Sequence, residues 1–156
     1  MNKAAVSSTI AVAVLALSGA AITGSPAQAD YDNKQTVVLK LKTMQETQFG
    51  NSSDPTPGAT FGATGALTMH GKHFGSYARI CTVAASTPRR IICESGFRTP
   101  DGQFETRAFT EGNFAVFSSA VTGGTARFRN VTGEAEFGPS SGGTREIIVY
   151  LNGVRR

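Results

Sequence analysis

The sequence predicts an all-β domain, an eight-stranded antiparallel β-barrel, behind an N-terminal export signal. Three observations carry this. Segments alternating apolar and polar residues recur along the chain, separated by tight-turn residues. The 156 residues include 18 Gly and 10 Phe but no Trp, and few stretches have helical spacing. Removing a leader of 29 residues leaves 127, enough for one real core and too few for a two-domain enzyme.

The leader is read from residues 1–29. They hold one charge, Lys3, then the apolar run Ala4–Ala21, then Ala27-Gln28-Ala29 just before Asp30. A charged start, an apolar run and a small-x-small cleavage site make a secretory signal peptide. The rival is a membrane anchor, but the run contains Ser, Thr and Gly where a span wants about 20 strongly apolar residues. The expected organisation is therefore residues 1–29 as signal peptide and 30–156 as barrel domain, secreted from a bacterium.

The strands follow in order. Gln35–Glu46 places Val37, Leu39 and Leu41 on one face and Lys40, Lys42 and Glu46 on the other. Gly50–Gly58 (GNSSDPTPG) is a loop. Thr60–Met69 is a second strand, and His70-Gly71-Lys72 turns the chain. Phe74–Ala84 and Arg89–Arg98 form a hairpin about Ser86-Thr87-Pro88. Pro100-Asp101-Gly102 turns into a strand at Gln103–Thr110, with Phe104, Thr106 and Ala108 on one side. After Glu111-Gly112-Asn113, Phe114–Val121 is apolar or small throughout, as in a strand buried on both faces. Gly123-Gly124 breaks it. Ala126–Phe137 is a strand with a bulge expected near Val131-Thr132-Gly133. Pro139–Gly143 is a loop, and Thr144–Asn152 closes the fold. Eight such strands invite closure, because a barrel has no edges to protect. Periodicity alone leaves a β-sandwich as the rival.

A hairpin centred on Thr87 pairs residues whose numbers sum to 174: Cys81 with Cys93, Val83 with Ile91, Tyr77 with Phe97. Directly opposed residues lie within disulfide reach, and export makes a disulfide favourable. Two free core thiols are the alternative. No metal is expected: His70 and His73 lack a Cys or carboxylate partner at ligand spacing.

The stretch Val121-Thr122-Gly123-Gly124-Thr125-Ala126-Arg127-Phe128-Arg129-Asn130, followed by Val131-Thr132-Gly133-Glu134-Ala135, resembles the signature of the allene oxide cyclase and dirigent barrel superfamily. Gly71-Lys72-His73-Phe74-Gly75-Ser76 resembles that family's second conserved region, and strand count and order agree over about residues 35 to 151. Ala126 and Val131-Thr132-Gly133 depart from the family pattern. The resemblance implies a secreted barrel that binds a small apolar molecule and steers its cyclisation or coupling. An enzyme of this kind would be a cofactor-independent isomerase or cyclase. A dirigent member would instead orient radicals made by a separate oxidase. No cofactor is implied either way, and no catalytic residue carries over, because the matched motifs are turns. Gly123, Gly124 and Thr125 read as structural, with Phe128 packed inward.

Candidate ligand-binding residues come from the strands. Tyr77 shares the Cys81 face and offers a hydroxyl or a packed ring. Arg79, on the same face, could receive a substrate carboxylate or snorkel to water at a barrel mouth. Glu94, alone in Ile91-Ile92-Cys93-Glu94-Ser95, would be a general acid or base if it faced inward. Unpaired carboxylates are almost never fully buried, which favours a solvated Glu94. With 14 Lys and Arg against 11 Asp and Glu after residue 29, the net charge of +3 is spread out. That argues against nucleic acid and allows weak attraction to an anionic cell surface. The competing reading is a non-catalytic barrel that binds a protein or wall surface through its exterior, for example around Arg127 and Arg129. Polar side chains pointing inward would favour the ligand-binding reading; a dry packed interior would favour the other.

Overall fold

The computed structural model describes residues 36–112 and 114–155. The signal peptide expected over residues 1–29 lies outside them. Eight strands run β1 (Val37–Gly50), β2 (Thr60–Met69), β3 (Lys72–Ser86), β4 (Arg89–Thr99), β5 (Gly102–Glu111), β6 (Phe117–Gly124), β7 (Thr132–Ser141) and β8 (Thr144–Asn152). Each pairs antiparallel with the next, and β8 pairs with β1, which closes the barrel. Closure excludes the sandwich.

The alternation that predicted the strands is the alternation of the barrel wall. Leu39, Leu41 and Thr43 of β1 point in, while Lys40 and Lys42 point out. The β3–β4 hairpin has the expected register: Cys81 faces Cys93, Tyr77 faces Phe97 and Val83 faces Ile91. Cys81 and Cys93 form a disulfide, so the free-thiol alternative falls.

Three local expectations need correction. Ala126–Phe128 is a single turn of 3-10 helix, not the start of a strand, and β7 begins only at Thr132. Ala126 and Asn130 both have positive φ, at 49° and 64°, so this corner cannot continue as a strand. The irregularity of β7 lies between Phe137 and Ser140, not at Val131-Thr132-Gly133, and β7 runs on through the predicted loop to Ser141. Gly133 is needed for another reason. Its φ is +148°, and a Cβ there would overlap the Tyr150 carbonyl of β8. Gly123-Gly124 ends β6 as expected, while still paired with Glu105 and Phe104 of β5. Thr125 then accepts a hydrogen bond from the Gln103 N–H at 3.1 Å, and Phe128 is buried edge-on to Phe104.

The lower half of the barrel, where β1 begins, is filled by side chains. Phe97 stacks on Phe104 at 4.5 Å, with Leu67, Leu151, Val131 and Phe128 buried around them. The upper end carries the β1–β2 and β5–β6 connections. Phe114, expected inside a strand, lies instead in the β5–β6 connection, its ring 5.1 Å from that of Phe61. Arg89 sits over the Phe114 ring at 5.7 Å and donates to the Ser52 carbonyl at 2.6 Å.

Candidate functional site

Between the filled lower half and the covered upper end, the wall turns polar. Antiparallel pairing sets Arg79, Ser95 and Thr106 side by side across β3, β4 and β5. Tyr77, Phe97 and Phe104 form the row below them; Cys81, Cys93 and Ala108 form the row above. From the other side of the barrel come Thr43 of β1, Arg145 of β8, and Phe117 and Phe137, stacked at 4.5 Å. Arg79 is only 6% exposed, and its guanidinium carbon lies 5.6 Å from the Phe117 ring centre. It therefore reaches across the interior and does not snorkel.

Glu46 completes the layer. Sequence alternation put it outside with Lys40 and Lys42; the structure puts its side chain inside, fully enclosed. The cause is a bulge in β1. Met44 pairs with Ala66 and Thr47 with Thr64, so Gln45 and Glu46 together oppose the single residue Gly65. Gln45 takes a left-handed φ of 53°, and the inward position passes to Glu46. The Ser140 hydroxyl donates to Glu46 Oε2 at 3.1 Å, while Oε1 lies 3.9 Å from Arg145 Nε, an ion pair too long for a hydrogen bond. Arg145 spends Nη1 on the carbonyls of Gly138 and Ala115.

What distinguishes this layer is how little of it is satisfied. The Tyr77 hydroxyl, Arg79 Nε and Nη1, Arg145 Nε, Glu46 Oε1, and the hydroxyls of Thr43 and Thr106 are all buried without a hydrogen-bond partner among the described residues. Buried polar atoms are normally paired, so a cluster of orphans needs partners that the described residues do not supply, ordered water or a ligand. The electrostatics agree. Burial pushes the Tyr77 phenol up to about 12, with Glu46 adding to the rise and Arg79 and Arg145 opposing it. Burial also holds Arg145 below its ordinary value, helped by the neighbouring Arg79 and countered by Tyr77 and Glu46. The four groups thus act on one another, and the phenol remains a neutral donor.

Of the residues singled out from sequence, Tyr77 and Arg79 lie in this layer. Glu94 does not. It is on the outer wall, well exposed, 3.7 Å from Arg107, beside a groove of about 530 Å³ that also borders Phe49 and Ile80. Sequence reasoning missed Glu46 and Arg145. Arg145 was accessible to it, because Arg145, Ile147, Val149 and Leu151 share one parity and hence one face. Glu46 was not, because only the bulge turns it inward.

A closed eight-stranded antiparallel barrel is also the fold of several solved structures, a dirigent protein and a Diels–Alderase among them, and this chain shares it. No family model matches the sequence, and no curated protein matches it significantly. Solved structures do. A pyocyanin demethylase is similar at 22% identity and a TM-score of 0.61, over 75% of this chain and 99% of its own. A pterocarpan synthase dirigent protein is similar at 15% identity and a TM-score of 0.62, over 85% and 96%. An exo-specific intermolecular Diels–Alderase is similar at 14% identity and a TM-score of 0.63, over 76% and 98%.

Proposed function

We propose that this chain is a secreted barrel that takes a small, mainly apolar molecule into its interior and steers that molecule's cyclisation or coupling without a cofactor. The observation that carries the reading is the layer of unsatisfied polar groups enclosed between aromatic side chains. The Phe117–Phe137 stack supplies an apolar side to the interior. Tyr77 and Arg79 supply donors for an oxygen on it, and the Glu46 carboxylate supplies an acceptor. Confinement in a fixed pose, with donors aimed at developing negative charge, accelerates a ring closure or coupling without covalent chemistry. The fold it shares with a dirigent protein and a Diels–Alderase supports the same reading. The leader-like residues 1–29 and the Cys81–Cys93 disulfide support export. The rival exterior surface has less support: Arg127 is already engaged by Asp101 at 3.2 Å and by the Arg155 carbonyl at 2.8 Å.

Native mass spectrometry of the protein, incubated with extract of its own culture, tests this. The expected result is a retained small-molecule adduct that disappears in Ser95→Phe, which fills the polar layer. An unliganded wild-type spectrum, or an adduct that survives Ser95→Phe, overturns the proposal.

A further inference from the structure

We infer that the molecule taken into the barrel is an anion bearing one negatively charged oxygen, and that Arg79 receives that oxygen. The inference rests on the reading of the interior as the ligand site and adds the charge of the ligand to it.

The charges enclosed in the layer do not balance. Arg79 and Arg145 contribute two positive charges, and Glu46 contributes one negative. Every other carboxylate among the described residues sits away from the interior: Glu94, Glu105, Glu111, Glu134, Glu136, Glu146 and Asp101 are exposed, and half-buried Asp54 is in the β1–β2 loop. The shortfall falls on Arg79. Glu46 faces Arg145 and accepts from Ser140, whereas Arg79 has two nitrogens without an acceptor and only the Phe117 ring beside its charge.

A buried cation can be relieved in three ways. It can lose its proton, which a guanidinium does not do in a protein. It can be hydrated, which satisfies its hydrogen bonds and leaves its charge. Or it can meet an anion. The one nearby group that could ionise into a counter-ion is the Tyr77 phenol, and burial keeps that phenol protonated. The anion therefore has to come with the ligand. Arg79 and the Tyr77 hydroxyl, two residues apart on one face of β3, would both donate to its oxygen. Phe117, held between the Arg79 guanidinium and the Phe137 ring, would keep an apolar surface beside the bound oxygen.

Two fluorescent probes with the same aromatic body separate the claims. Phenylnaphthylamine is neutral; anilinonaphthalenesulfonate carries one negative charge. Both are titrated into the wild type, Arg79→Met, the charge-preserving Arg79→Lys, and Arg107→Gln on the outer wall. The wild type should bind the anion at least about tenfold more tightly than the neutral probe, the scale of one charge-assisted hydrogen bond. Arg79→Met should bring the two within about twofold, with Arg79→Lys retaining most of the preference and Arg107→Gln all of it. If both probes bind the wild type equally, the interior is a ligand site and the inference about charge is wrong. A preference that persists in Arg79→Met, or vanishes in Arg107→Gln, also overturns it. If neither probe binds, the reading of the interior as a ligand site fails, and the inference fails with it.

Discussion

Replacing Arg79 with Met should make the ligand-free protein more stable. Methionine has nearly the reach of arginine and no charge, so it can fill the same space beside Phe117. What it removes is mostly unfavourable. Two guanidinium nitrogens are buried without acceptors, and each unmade hydrogen bond of this kind costs about 1–3 kcal/mol. What it loses is the contact of the cation with the Phe117 ring, worth about 1–2 kcal/mol when desolvated. The balance is a gain of about 2 kcal/mol. For a barrel of this length 1 kcal/mol moves the melting temperature by about 4 °C, so Tm should rise by about 8 °C. Glu46→Gln should do the reverse. It leaves Arg145 without its countercharge and should cost about 3 kcal/mol. Urea unfolding followed by circular dichroism reads both, with an unchanged slope confirming that the unfolded state is not what moved. If Arg79→Met is destabilised by about 1 kcal/mol or more, Arg79 is a satisfied structural residue and the case for an anion site collapses.

Tyr77 ionisation should have a midpoint near 12 in the difference between wild-type and Tyr77→Phe absorbance titrations; a midpoint near 10 would remove Tyr77 from the buried layer. Because burial disfavours the phenolate, this group leaves stability unchanged below pH 10 and lowers it by up to about 3 kcal/mol as pH rises from about 10 through about 12. The double variant Cys81→Ala with Cys93→Ala should lose at most about 3 kcal/mol, because the disulfide closes a loop of separation 12; reductant should lower the urea midpoint of the wild type and leave the double variant unchanged. Gly133→Ala should cost about 3 kcal/mol or more, since φ is +148° and the new Cβ overlaps the Tyr150 carbonyl. Gly142→Ala, in open space at φ +57°, should cost about 1 kcal/mol; equal losses in the two thermal melts would refute the steric argument.

The fold was legible because a barrel wall repeats the simplest pattern a sequence can carry. Two-residue alternation gave the faces and put Arg79 on the core side; the pairing of Cys81 with Cys93, counted from Thr87, holds because a bulge between Val83 and Ala85 shifts by one the register that Ser86 and Arg89 set at the turn. The same counting failed wherever the chain changed phase. In β1 a single extra residue, Gln45, moved Glu46 from the solvent side to the interior. At the β6–β7 corner, Ala126 and Asn130 adopt left-handed angles that residue type alone does not announce. In both places the cause is non-local: the strand has to bend to meet its neighbours, and the residues that yield are chosen by closure of the barrel.

The position of the bulge also sets the charge balance of the layer at this height. A β1 in unbroken alternation would have pointed Gln45 inward and left Glu46 among the lysines. The enclosed layer would then hold two arginines and no carboxylate, a repulsive pair in a poorly polarisable interior. With Glu46 inside, Arg145 has a countercharge and is further tied to the Gly138 and Ala115 carbonyls, which leaves Arg79 as the uncommitted cation. Arg79 is held on a stiff wall: its strand is cross-linked to β4 two residues away at Cys81, and the Phe97–Phe104 stack packs the row beneath it. The packed lower half offsets the cost of this arrangement, and the disulfide holds the β3 backbone beside Arg79. A group that is uncommitted, buried and rigidly aimed is what recognition requires, and nothing in the stability of the barrel accounts for it.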